Sequence, residues 1–124
     1  MDNPRLSVDQ FTRLLEEGAA ELPQEIFKGL NLGIGVVEGF KLNPRTASGN
    51  PAYILGEYRY GAAMGRGIVL FYGSFIRVYP DLSFDALGKA RITDVLKHEL
   101  THHLESLAGT RDLENTDARQ LKEM

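Results

Sequence analysis

Apolar residues recur at helical spacing in two stretches of the chain. Phe11, Leu14 and Leu15 form one stripe of a helix predicted from Ser7 to about Ala20. Ser7 and Gln10 stand at capping-box spacing, and Leu6 is placed to staple onto Phe11. Farther along, Ile92, Leu96, Leu100 and Leu107 share one side of a second helix when positions advance about 100° per residue. Ser83 is expected to cap that helix, Gly88 to weaken or divide it, and Gly109 to stop it. Pro23 predicts a short helix running to about Leu30, and Asn115 or Thr116 a last one near the terminus.

The β signals lie between these helices. Ile34-Gly35-Val36-Val37 reads as a strand, and Tyr53 to Tyr58 as another interrupted by Gly56. The runs Gly67–Tyr72 and Phe75–Tyr79 flank Gly73-Ser74, which predicts a type II′ hairpin because glycine leads a two-residue connection. Residues 41–52 and 60–67 carry loop chemistry, the latter with three glycines in eight residues. The order predicts an α+β domain over residues 1–124: N-terminal helices and a small, mainly antiparallel sheet packed against one long helix.

Composition narrows the function classes. At 124 residues the chain is long enough for one core, and 43% hydrophobic with 25% charged residues is ordinary for a globular protein. A net charge of −3 argues against nucleic acid as the main partner, since phosphate binding wants a basic surface. No apolar run approaches a membrane span, and Met1-Asp2-Asn3-Pro4-Arg5 does not read as a signal peptide, so a cytoplasmic location is expected. With no cysteine, only histidines and carboxylates are left to hold a metal.

The chemistry concentrates in His98-Glu99-Leu100-Thr101-His102, the pattern H-E-x-x-H. Histidines four apart rise about 6 Å along a helix and stay within about 40° of each other around it, so both can reach one ion. Glu99 flanks that ion and is placed to act as general base for metal-assisted hydrolysis. Chance produces the pattern in about one chain in 200 of this length, so its context has to carry weight. Here Asp94, His98, Thr101, His102 and Glu105 share the face opposite the apolar stripe, whereas a merely solvated face favours Lys and Glu pairs. His103 points toward the apolar side and reads as a packed or surface residue; Asp94 leans toward the N-terminus, away from the metal, and reads as an exposed carboxylate or an outer partner of the site. Tyr58, Tyr72 and Tyr79 each carry a hydroxyl that could donate to an oxyanion, but a strand tyrosine is more often packing.

Residues 53–112 resemble the small bacterial zincin-like metallopeptidases, whose motif is H-E-x-x-H-x-x-G-x-x-D. The hairpin expected over Ile68–Tyr79, which opens Ile68-Val69-Leu70-Phe71-Tyr72-Gly73, and the helix from Ile92 to Glu105 carry the likeness. The resemblance implies a zincin-like fold, one Zn²⁺, and hydrolysis of a peptide or protein substrate. One position departs from the pattern. Glu105 replaces the family glycine, and a Gly-x-x-Asp follows only later, as Gly109-Thr110-Arg111-Asp112. The Glu105 Cα would lie roughly 9 Å from a metal shared by His98 and His102, beyond the roughly 7 Å reach of a glutamate. Three extended residues after a stop at Gly109 span about 10 Å, which makes Asp112 the preferred third ligand. Glu105 then orients a histidine, or ligates in its place.

Two alternatives frame this reading. A non-catalytic metal-binding or interaction module on the same scaffold would close the coordination sphere with both carboxylates. A three-histidine endoribonuclease pattern, H-x-x-x-H-x-x-x-x-x-H, requires histidine at position 108, where this chain has Ala108.

Overall fold

The computed structural model describes residues 5–44 and 52–123, with side chains described as far as Gly109. Its elements are α1 (Val8–Ala20), a 3₁₀ turn (Gln24–Phe27), β1 (Gly33–Val37), β2 (Gly56–Gly61), β3 (Gly65–Phe71), α2 (Tyr72–Val78) and α3 (Ala86–Glu123). The protein is α+β, with a small mixed sheet and three α-helices among the described residues.

Helix α1 begins as the sequence predicts. The Gln10 N–H donates to Ser7 Oγ at 3.1 Å, and the Ser7 N–H donates to Gln10 Oε1 at 3.0 Å. Leu6 and Phe11 are both buried, and Phe11 meets Phe75 edge-on with ring centroids 4.9 Å apart. In α3 the stripe Ile92, Leu96 and Leu100 is buried against α1 and the sheet, while Leu107 is half-buried. From the sheet, Ile68 and Leu70 enter the same core two residues apart, the strand period.

The sheet corrects the expected topology. Its order is β1-β3-β2, with β1 parallel to β3 and β2 antiparallel to β3, so it is mixed and not mainly antiparallel. The hairpin forms around residues 62–64, with Gly61 opposite Gly65, inside the segment expected to be a loop. No strand follows Gly73-Ser74; residues 72–78 are helix α2. The glycine is there for close approach. A Cβ at Gly73 would stand 2.5–2.7 Å from backbone atoms of Gly39 and Phe40, and the Gly73 N–H donates to the Gly39 carbonyl at 2.9 Å. Ser74, fully buried, accepts the Lys41 N–H at 3.0 Å. Tyr72 and Phe75 then reach the core at helical spacing, and this burial overrides the β preference of Phe-Ile-Arg-Val. Gly73→Ala is therefore expected to lower stability by about 1–3 kcal/mol, because backbone cannot move aside as a side chain can. An unchanged urea midpoint would show that the Gly39 contact is not close-packed.

Three further expectations change at the helices. Pro23 precedes a single 3₁₀ turn, Gln24–Phe27, and not an α-helix. Asp85, not Ser83, caps α3: its carboxylate accepts the Gly88 N–H at 2.9 Å and the Ser83 hydroxyl at 2.6 Å. These bonds, the Ser83 hydroxyl foremost, hold the Asp85 carboxyl below its usual range. Neither Gly88 nor Gly109 interrupts α3, and no separate last helix starts near Asn115 among the described residues. At Gly88 glycine's helix penalty of about 1 kcal/mol is small beside the burial of the stripe that follows. No helix among the described residues is long and apolar enough to cross a membrane.

Candidate metal centre

Helix α3 turns one face to the core and the other to solvent, and His98 and His102 lie one turn apart on the exposed side. Their Nε2 atoms converge to 3.2 Å, with the rings nearly perpendicular at 87°. Two imidazole nitrogens at 2.0–2.1 Å from one tetrahedral ion stand about 3.3 Å apart, so the pair fits a shared zinc. Glu105 faces the other side of His102, its Oε2 3.9 Å from Nδ1 and both side chains exposed. Among the described residues no three His, Asp or Glu groups gather around one point. The turn back toward the site expected after Gly109 is not formed, since Gly109 lies inside α3; the side chain of Asp112 is outside the described residues.

Glu99 has a different environment from its histidine neighbours. It is only 6% exposed and runs beneath β2, where Gly56 makes room. A Cβ at position 56 would lie 3.1 Å from Val95 Cγ1, 3.3 Å from the Val69 carbonyl and 3.4 Å from Glu99 Cγ. The glycine that interrupts the β pattern is thus the point where strand and motif helix nearly touch, a known use of strand glycine. The Tyr58 backbone N–H faces the Glu99 carboxylate. Burial pushes the Glu99 carboxyl above its usual range, His102 and His98 pull against it, Glu57 adds to the rise, and the Tyr58 N–H draws it slightly down. A carboxylate made more basic in this way is a better proton acceptor than an exposed one.

Tyr58 also fixes the other side of the helix. His103 is fully buried, with Nε2 2.8 Å from the Lys28 carbonyl and Nδ1 3.0 Å from the Tyr58 hydroxyl. A carbonyl only accepts, so Nε2 carries the hydrogen, and Nδ1 accepts from the tyrosine. His103 is a packed core residue tying β2, α3 and the turn near Lys28 together. Tyr58→Phe removes the donor to a buried nitrogen and is expected to cost about 1–3 kcal/mol in chemical denaturation. Equal stability of the two proteins would contradict this hydrogen-bond assignment.

A cleft of about 400 Å³ opens beside the histidines, between residues 53–56 and α3. Tyr53, Leu55, Tyr79, Arg91, Asp94 and Val95 line it together with His98 and Glu99. Of the three tyrosines singled out by sequence only Tyr79 lines this cleft: the Tyr58 hydroxyl is spent on His103, and that of Tyr72 donates to the Leu6 carbonyl. A second hollow of about 420 Å³, on the other side of the sheet, is lined by residues such as Leu32, Gly33, Met64 and Gly67 and holds no histidine or carboxylate. Gly56, the Tyr58 N–H and Arg91 join the site although sequence reasoning does not assign them to it. Only Gly56 leaves a legible signal, as a glycine inside a strand.

Fold and site together define a small α+β domain in which a helix bearing H-E-x-x-H packs beneath a sheet strand. A solved structure is similar in fold: a conserved hypothetical protein, TTHA0227, from Thermo thermophilus. It is 35% identical over 84% of this chain and 99% of that one, with a TM-score of 0.71. The chain belongs to the family of that protein. No family model and no curated protein matches it.

Proposed function

We propose that this protein is a small zinc-dependent peptidase of the zincin type, acting in the cytoplasm. The observation that carries the reading is the convergence of the His98 and His102 Nε2 atoms at 3.2 Å beside a buried glutamate. In this reading His98 and His102 hold the ion, Glu105 orients His102 through its Nδ1 edge, and Asp112 becomes the third protein ligand once α3 ends before it in the loaded protein. When bound, zinc supplies Lewis acidity, polarising a carbonyl and making water acidic enough to lose a proton near neutral pH.

The chain's own groups do the rest. Glu99 accepts a proton from the attacking water as its oxygen bonds to the peptide carbon, and returns that proton to the amine as the C–N bond breaks. β2, with the Tyr58 N–H facing the Glu99 carboxylate, shields that carboxylate from bulk water. The cleft walls at Leu55 and Val95 bury the peptide next to it.

Metal removal tests this directly. Protein reconstituted with about one equivalent of Zn²⁺ should cut a pool of quenched fluorescent peptides, lose that activity on chelation, and regain it when zinc is returned. Full zinc occupancy with no cleavage of any peptide would overturn the peptidase reading and leave a metal-binding module.

A further inference from the structure

The cleft that ends on His98 and Glu99 begins two helical turns earlier, at Arg91. The Arg91 guanidinium lies over the Tyr79 ring, 4.4 Å from its centroid. Stacking occupies the flat face of the guanidinium and leaves its N–H edge directed sideways, the geometry that grips a carboxylate through two parallel hydrogen bonds. Three other cations of the protein spend their donors internally. Arg77 stacks over Phe40 but also donates to the Gly73 carbonyl at 2.8 Å, while Lys41 and Arg59 share Glu57. Among the described residues no hydrogen bond or ion pair engages Arg91.

Distance then sets a register. Seven residues separate Arg91 from His98, a rise of about 10 Å along the helix, and an extended peptide covers that in about three residues. Asp94, which lines the cleft between them, disfavours an acidic group nearer the metal.

We propose that Arg91 is a specificity-determining residue of this cleft, selecting peptides that carry a carboxylate about three residues from the bond cleaved. The carboxylate is an Asp or Glu side chain or the peptide's own C-terminus, which share one chemistry. The cleaved bond rests on the peptidase reading above; the recognition itself is a binding property.

A series of neutral peptides, each with one Glu at a different position, tests it beside twins carrying Gln instead and C-terminally amidated copies. Binding is measured by fluorescence anisotropy on the zinc-loaded Glu99→Gln protein, which does not turn over. The best-placed Glu peptide should bind about tenfold more tightly than its Gln twin, the scale of one charge-assisted contact. The preference should vanish with Arg91→Gln and survive in part with Arg91→Lys, which keeps the charge but not the planar fork. If amidation removes the preference and Glu placement does not, the recognised group is the C-terminus. Equal binding of the twins, or a preference untouched by Arg91→Gln, overturns the proposal. Wild-type protein on the same series separates the two readings. Discrimination through Arg91 without cleavage removes the peptidase reading alone, whereas cleavage indifferent to Glu and to Arg91 removes this one alone.

Discussion

Glu99→Gln is expected to keep the fold and the zinc affinity of the wild type while lowering peptide hydrolysis by about 10²–10⁴-fold, the usual contribution of a positioned general base. The fold survives because glutamine is nearly isosteric with glutamate and its amide oxygen presents the same acceptor toward the Tyr58 N–H. Stability at neutral pH should not fall, since burial beneath Gly56 disfavours the charged carboxylate and an amide avoids that cost. Zinc affinity survives because the glutamate is not a ligand: it runs under β2, while His98 and His102 converge on the exposed side of α3. What the amide lacks is a lone pair basic enough to take a proton from water. The measurement is paired: zinc content with melting temperature, and initial rates on the same preparation. Turnover close to wild type in a fully loaded Glu99→Gln protein would mean that the proton goes elsewhere, and the proposed roles would have to be redrawn.

Local rules make much of this site legible in the sequence. The α1 cap is legible because a capping box is a contact between residues three apart. The buried stripe Ile92, Leu96 and Leu100 is legible because one helix period decides which face is dry. The same period sends His98 and His102 outward together. The errors share another cause. Gly73 and Gly61–Gly65 read locally as turn and loop glycines, yet Gly73 is set by the backbone of residues 39–40, more than thirty positions away. Strand β1 pairs in parallel with β3, a partner that no hairpin signal can announce because the connection between them contains β2. The buried surroundings of Glu99 are hidden for the same reason, since its cover comes from Gly56 and Tyr58.

Removing either motif histidine should have the largest effect on the metal. His98→Ala and His102→Ala are each expected to weaken zinc binding by well over about 100-fold, because losing even an outer partner of a ligand typically costs about 10–100-fold. Neither change should disturb the core, as both side chains are exposed and the buried stripe lies on the opposite face. Glu105→Ala should fall in the outer-partner range. Its carboxylate stands 3.9 Å from His102 Nδ1, the nitrogen turned away from His98, where it can steady the ring without touching the ion. Asp112→Ala tests the third ligand. A loss comparable to that of the histidine variants assigns Asp112 to the metal and requires α3 to end before it in the loaded protein. A silent Asp112→Ala leaves the ion on two histidines, with the remaining positions open to water or substrate. Competitive zinc titration of the four variants gives the order. Wild-type zinc affinity in both histidine variants would remove the metal centre, and with it the reaction proposed here.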